Sequence, residues 1–147
     1  MTRVNQMLQK KGGMVWSVTP NASIQEALKL MADKKIGAVL VMEGDNIAGI
    51  LSERDVAREL SKVESLSLKT PVHKLMTKMV FYISPDMSVE ECMALMSEKK
   101  IRHLPVVENG KVVGLISIGD VVKETIALKD IAIRSLENYI LGRDYNQ

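Results

Sequence analysis

Gly49-Ile50-Leu51-Ser52-Glu53-Arg54-Asp55 returns later in the chain as Gly114-Leu115-Ile116-Ser117-Ile118-Gly119-Asp120, and the architecture follows from this doubled heptapeptide. The two runs lie 65 residues apart, and the same shift carries 16–58 onto 81–123 without a gap. Pro20, Ser23, Glu26, Leu30, Met31, Ile36, Val41 and Glu43 all meet identical residues at that shift. Val18 with Ile83, Ile24 with Val89 and Ile47 with Val112 keep their character. Further upstream, Val4, Met7 and Leu8 answer Val72, Leu75 and Met76 at a shift of 68, the extra residues being absorbed near Lys11-Gly12-Gly13. The chain is a tandem duplication.

Each copy reads as β-α-β-β-α. Ser23 with Glu26, and Ser88 with Glu91, are capping boxes that open a helix. Ile24, Ala27, Leu28 and Met31 then fall on one helical face, and Val89, Cys92, Met93 and Met96 repeat the stripe. Lys34-Lys35 and Lys99-Lys100 close these helices and complement their dipoles. The apolar runs Ile36–Met42 and Ile101–Val107 are short enough for buried strands. Turns at Glu43-Gly44-Asp45-Asn46 and Glu108-Asn109-Gly110 lead to second strands at Ile47–Leu51 and Val112–Ile116. A short strand precedes each copy, at Val15–Val18 and Val80–Ile83, and a second helix opens at Ser52 or Ser117. One copy buries little of its sheet alone; two copies packed sheet to sheet bury both. The expected division is 1–64 for the first copy with its N-terminal segment, 65–125 for the second, and 126–147 for a C-terminal helix and tail. That long helix is expected over Val121–Leu141, closed by Gly142. Its stripe Ile133, Leu136 and Ile140 exceeds what one copy needs and is expected to pack on a partner subunit, the alternative being a fold back onto its own core.

Composition removes several classes of function. A length of 147 residues suits one compact unit or two very small ones sharing a core. A net charge of +2 with 3% aromatic residues lacks the basic stripe and stacking residues of a nucleic-acid binder. One cysteine excludes an intramolecular disulfide and fits a reducing compartment. Cys92, His73 and His103 do not make a zinc site. No apolar run approaches the ~20 residues of a membrane span, and the N-terminus lacks the apolar core of a signal peptide. No catalytic triad, metal cluster or Gly-rich phosphate loop is present. The expectation is a cytoplasmic, non-enzymatic protein with neither nucleic-acid nor membrane partners.

The paired Gly49–Asp55 and Gly114–Asp120 motifs, with Ile101-Arg102-His103-Leu104-Pro105-Val106, resemble the CBS domain family, in which two copies form a Bateman module. The resemblance spans about Val4 to Lys123 and is closest to stand-alone bacterial or archaeal CBS-pair proteins. It implies an α+β fold of tandem β-α-β-β-α repeats. It also implies an adenosyl ligand (AMP, ADP, ATP, NAD or S-adenosylmethionine) held in clefts between the copies, as a regulatory signal and not a catalytic cofactor, without metal. The implied partners are a second copy, in a disc-shaped homodimer, and an unidentified regulated protein.

Two readings attach to Ser52/Asp55 and Ser117/Asp120. As capping boxes, the Ser hydroxyl accepts from the N3 amide and the Asp reaches back to the N-cap amide, with no ligand required. As a ligand site, the same helix N-terminus receives a phosphate; in the family pattern the Ser meets that phosphate and the Asp accepts from the ribose diol. Arg54 stands where a guanidinium grips phosphate. Arg102 and His103 replace Gly37 and Ala38 of the first copy, a basic pair on an otherwise apolar strand. Adenine needs an apolar slot, for which the candidates are Val18, Thr19 and Ala22 with Ile36, Gly37 and Ala38, and then Ile83 and Met87 with Ile101, Arg102 and His103. The second site relies on amides near Gly119 in place of Arg54, so the two sites are expected to be unequal. A scaffold that binds no ligand, and an S-adenosylmethionine module, are the alternatives.

Overall fold

The computed structural model describes residues 2–140. The elements run α1 (Val4–Lys11), β1 (Ser17–Val18), α2 (Ile24–Lys34), β2 (Ala38–Glu43), β3 (Asn46–Ser52) and α3 (Glu53–Leu60). A 3-10 turn at Val72–Lys74 leads into α4 (Val89–Lys99), β4 (His103–Glu108), β5 (Lys111–Ser117) and α5 (Ile118–Ile140). Local chemistry sets these boundaries. Ser23 Oγ accepts from the Glu26 amide and Ser88 Oγ from the Glu91 amide, each at 3.1 Å. At the other ends, Lys35 and Lys100 adopt the left-handed conformation, with φ of 56° and 54°, and stop α2 and α4. The expected long C-terminal helix is continuous with the second copy's last helix; Leu141 and Gly142 lie outside the described residues.

The two sheets repeat one another down to a bulge. β2 and β3 pair antiparallel with a register shift at Val41/Met42, and β4 and β5 do so with a shift at Val106/Val107. Asn109 and Gly110 both have positive φ, as a two-residue hairpin turn of the primed type requires. The copies differ at the leading strand. β1 pairs parallel with β2, and the Leu40 amide donates to the Trp16 carbonyl. The counterpart of Leu40 is Pro105, which has no N–H to give. The expected strand at Val80–Ile83 is therefore reduced to a single bridge between Ile83 and Val106.

Each copy has its own apolar core, and each core is completed by the segment that precedes the other copy. Val72, Leu75 and Met76, from the stretch leading into the second copy, pack with Ile24, Met31, Val39, Val41 and Leu51. Val4, Met7 and Leu8, at the N-terminus, pack with Val89, Met96, Leu104, Val106 and Ile116. Backbone bonds reproduce the exchange: the Val72 amide donates to the Ala22 carbonyl, and the Val4 amide to the Met87 carbonyl, each at 2.8 Å. Gly49 and Gly114 make room for these segments. A Cβ at Gly49 would lie 2.8 Å from the Thr77 carbonyl oxygen and strike Met76; one at Gly114 would strike Leu8. Ala38, Leu40 and Pro105, which alternate with the helix-facing Val39, Val41, Leu104 and Val106, are buried as well. Both faces of β2 and β4 are thus buried.

Candidate functional site

A cavity of about 350 Å³ opens between the copies at the N-terminus of α3. That volume falls within the usual range for small-molecule sites. Ser52, Glu53, Arg54, Asp55 and Arg58 line one side, with Gly37 and Ile50 behind them. Thr77, Met79, Val80, Phe81, Lys100, Ile101, Arg102 and His103 form the other side. The second copy's strand entry therefore faces the first copy's helix start.

Ser52 and Asp55 form the expected capping box. The Ser52 amide and hydroxyl both donate to Asp55 Oδ2, at 2.9 and 3.1 Å, and the Asp55 amide donates to Ser52 Oγ at 3.2 Å. The box occupies Oδ2 and leaves Oδ1 toward the guanidinium of Arg58, 3.8 Å away. Around this carboxylate, Arg54, Arg58, Lys100 and Arg102 bring four cations to the cavity wall against the two carboxylates of Glu53 and Asp55. His103 is held below its ordinary pKa first by burial and then by the positive charge of Lys11; Asp120 and Asp55 oppose the shift, and Arg102 adds to it. Its imidazole is neutral at pH 7. The lining thus offers an apolar strip (Val80, Phe81, Ile101), a neutral imidazole and a cationic rim.

The equivalent box in the second copy closes identically. The Ser117 amide and hydroxyl donate to Asp120 Oδ2 at 2.8 and 3.0 Å, and the Asp120 amide donates to Ser117 Oγ at 3.2 Å. Here, however, a third donor arrives on the same oxygen. Lys11 Nζ lies 2.6 Å from Asp120 Oδ2 and also donates to the Leu115 carbonyl at 2.7 Å. Burial pushes the Asp120 carboxyl up, but the bonds from Lys11 and Ser117 outweigh it and hold it below the ordinary carboxylate value. The asymmetry traces to the different lead-in lengths of the copies. In the first copy the Ile50 carbonyl, counterpart of Leu115, accepts from the Thr77 amide at 2.9 Å. In the second, α1 continues to Lys11, and a side-chain ammonium satisfies that carbonyl instead. A depression of about 290 Å³ beside Asp120 is lined by Met7, Lys10, Lys11, Lys123 and Glu124.

Of the residues singled out from the sequence, Gly37, Ser52, Arg54, Asp55, Ile101, Arg102 and His103 share the cavity. Val18, Ala22 and Ile36 pack with the first core, Ala38 is buried in β2, and Thr19 lies on the surface with its carbonyl bonded to the Ala22 amide. Ile83 and Met87 pack with the second core. Ser117 ends β5, and Gly119 and Asp120 lie in the first turn of α5; none of the three lines the cavity at Asp55, although Ser117 pairs with His103. Four polar lining or contact residues had no signal of their own: Glu53, Arg58, Lys100 and Lys11. The 68-residue shift, which places Lys11 opposite Met79, was the one available pointer to the last of these. Cys92 is buried in the second core, and burial, with the Glu91 charge, pushes its thiol to about 11, leaving it unreactive at neutral pH. Among the described residues no cluster suited to a metal ion occurs, and no helix is long and apolar enough to cross a membrane.

A model of the CBS domain matches residues 14–62 and 72–127. A CBS domain-containing protein of Bacillus subtilis, YhcV, is 36% identical over 106 residues, covering 72% of this chain and 75% of that one. The structure of a putative signal-transduction protein with CBS domains from Burkholderia ambifaria superposes with a TM-score of 0.81 at 50% identity, covering 86% of this chain and 95% of that one. Two further structures contain ligands. CBSX2 in complex with AMP has a TM-score of 0.68 at 28% identity, over 88% of this chain and 99% of that one. The CBS domain pair of MJ0100, in complex with 5'-methylthioadenosine and S-adenosylmethionine, has 0.75 at 25%, over 86% and 98%.

Proposed function

The chain belongs to the CBS-domain family, and from that premise we propose that it is a regulatory module that binds an adenine nucleotide in the cavity at Asp55. The observation that carries this reading is the arrangement of that cavity: a helix-start carboxylate whose Oδ1 lies outside the capping box and 3.8 Å from Arg58, an apolar strip, and four cations on the rim. Asp55 Oδ1 suits the ribose diol, because an ionised carboxylate only accepts. Arg54 and the amides at the start of α3 suit the phosphate, and Val80, Phe81 and Ile101 suit the base. Relatives that bind AMP, or 5'-methylthioadenosine and S-adenosylmethionine, support the adenosyl class. Within that class the cationic rim favours the phosphate-bearing ligands AMP, ADP, ATP and NAD over the sulfonium of S-adenosylmethionine.

The module changes shape or partner affinity on binding and transmits the nucleotide level to a regulated protein in the cytoplasm. It carries no catalysis: the Ser52 and Ser117 hydroxyls donate to the Asp55 and Asp120 carboxylates, and His103 serves the phosphate. The working unit is a homodimer, which is supported by the exposed apolar side chains of Met93, Ile118 and Val122 on α4 and α5. The two clefts are unequal, with the tighter one at Asp55, since Asp120 is already engaged by Lys11. Mass spectrometry of small molecules released from denatured protein, beside a thermal-shift panel of AMP, ATP, NAD and S-adenosylmethionine, tests the reading. A ligand at 100 times its Kd stabilises by about 2.7 kcal/mol. No released ligand and no shift with any of the four would leave the Ser/Asp pairs as helix caps of a scaffold.

A further inference from the structure

Only the first turns of α5 are built into the body, where Val121 and Glu124 are buried. From Ile126 to Ile140 every described side chain is exposed except the half-buried Leu128, Ser135 and Asn138. Ile126, Ile133, Leu136 and Ile140 each show more than half their surface to solvent. This stretch is about 22 Å of helix, and a helix of that length is marginal in water without a packed face.

Five of the exposed apolar residues of α5, with Lys129, share one period, while Ile131 and Tyr139 lie off it. Val122, Ile126, Lys129, Ile133, Leu136 and Ile140 follow one another in alternating steps of four and three, the spacing of the a and d positions of a heptad. All three a positions are isoleucine (Ile126, Ile133, Ile140), and the d positions are Val122, Lys129 and Leu136. We propose that this seam docks against the same seam of a second copy as an antiparallel two-helix coiled coil. The inference rests on the self-association proposed above and names its surface and direction.

The occupant and the direction follow from the residues themselves. A parallel pair would stack Lys129 on the same lysine of the other chain. In the antiparallel pair every a residue meets a d residue: Ile126 packs on Leu136 of the partner subunit, and Val122 on Ile140 of the partner subunit. Lys129 then packs on Ile133 of the partner subunit. The flanks agree, because Lys123 lies across from Glu137 of the partner subunit. Ala132 falls beside the two-fold axis, where a small side chain lets the backbones approach. The Asp130 carboxylates that meet near that axis are flanked by both Lys129 ammoniums. Between 121 and 140 the helix carries three cations and three anions, so it lacks the basic face of a membrane-surface helix.

The test uses the full chain with Ile126→Cys and Leu136→Cys together, oxidised at tens of micromolar, with the wild type and its buried Cys92 as the blank. The antiparallel seam gives a covalent dimer from the double variant and none from either single variant. Ile133→Lys is expected to weaken self-association at least tenfold by light scattering while nucleotide binding persists. Cross-linking by Ile126→Cys alone, or a dimer that neither cross-links nor responds to Ile133→Lys, overturns the seam and leaves self-association through other faces standing. A monomeric wild type overturns both.

Discussion

Replacing Lys11 with Met keeps the aliphatic stem and removes one charge, which isolates the contact that distinguishes the two clefts. The ammonium donates to Asp120 Oδ2 and to the Leu115 carbonyl, at 2.6 and 2.7 Å. The pair is partly screened, with the Lys11 side chain 35% and the Asp120 side chain 24% exposed. A fully exposed pair contributes about 0–1 kcal/mol, and a charge-assisted bond away from solvent about 1.5–3 kcal/mol. The intermediate exposure puts the expected loss at about 1–2 kcal/mol at pH 7, or several degrees of Tm for a chain of this size. The pH dependence fixes the cause. Asp120 is an acid whose folded pKa is depressed, so its contribution is complete above the unfolded value of about 3.9 and is lost as pH falls through the folded one. The stability gap between wild type and variant, measured by urea titration, must therefore be full at pH 7 and shrink below about pH 4. Binding is read in an Asp55→Ala background, which weakens the first cleft and brings the second into view. With Lys11 gone, Asp120 Oδ2 keeps its two bonds from Ser117. The carboxylate loses its bound ammonium and Oδ1 is open to a ribose diol, so adenosine affinity is expected to rise about tenfold, which is ~1.4 kcal/mol. A gap that persists unchanged at low pH refutes the electrostatic account. A loss of affinity instead of a gain refutes the idea that Lys11 obstructs the second cleft.

Asp55→Ala is expected to weaken AMP binding by about 1.5–3 kcal/mol while costing about 1 kcal/mol of stability as a lost cap. Calorimetry that shows a lower Tm with unchanged affinity would reduce Asp55 to a cap. Arg54→Ala should narrow the difference in AMP affinity between the two clefts, with little change for adenosine, in titrations against each single Asp variant. Because His103 is held below its ordinary pKa of about 6.5, phosphate binding beside it takes up a proton. AMP affinity is therefore expected to tighten, by at most about tenfold per pH unit, as pH falls through 6.5, with adenosine flat and His103→Gln abolishing the slope. The same depressed pKa means the unliganded protein loses stability over that window, since the unfolded chain protonates first. Gly49→Ala places a methyl against the Thr77 carbonyl and Met76, and is expected to destabilise by at least about 1–3 kcal/mol in urea titration.

Much of this protein was legible from residue spacing. Ser23 and Ser88 opened helices as N-caps at the expected positions, and Asn109-Gly110 turned the second hairpin. The Glu91 carboxylate takes the Ser88 hydroxyl in place of the N-cap amide of a full capping box. The capping boxes at Ser52 and Ser117 likewise follow from three-residue spacing alone, because their partners are neighbours on the first helical turn. Where an element depended on one missing atom, the pattern misled: Val80–Ile83 reads as a strand, but the absent N–H of Pro105, in the opposite strand, leaves it one bridge at Ile83.

The cavity was only half legible, because its two walls come from different copies. Ser52, Arg54 and Asp55 announce themselves as a helix start, yet nothing local says that Val80, Phe81 and Lys100 face them. Lys11 is the sharpest case. In sequence it is a lysine at a helix end before two glycines, a surface residue by every local rule. It reaches Asp120 only because the N-terminal segment crosses to the second core, where Leu8 fits over Gly114. The sequence by itself determined the duplication, the order of elements and the helix starts, since those depend on neighbours a few residues apart. Which segment completes which core, which cleft stays open and which carboxylate is already neutralised were decided by tertiary packing, because burial and electrostatics depend on distance in space.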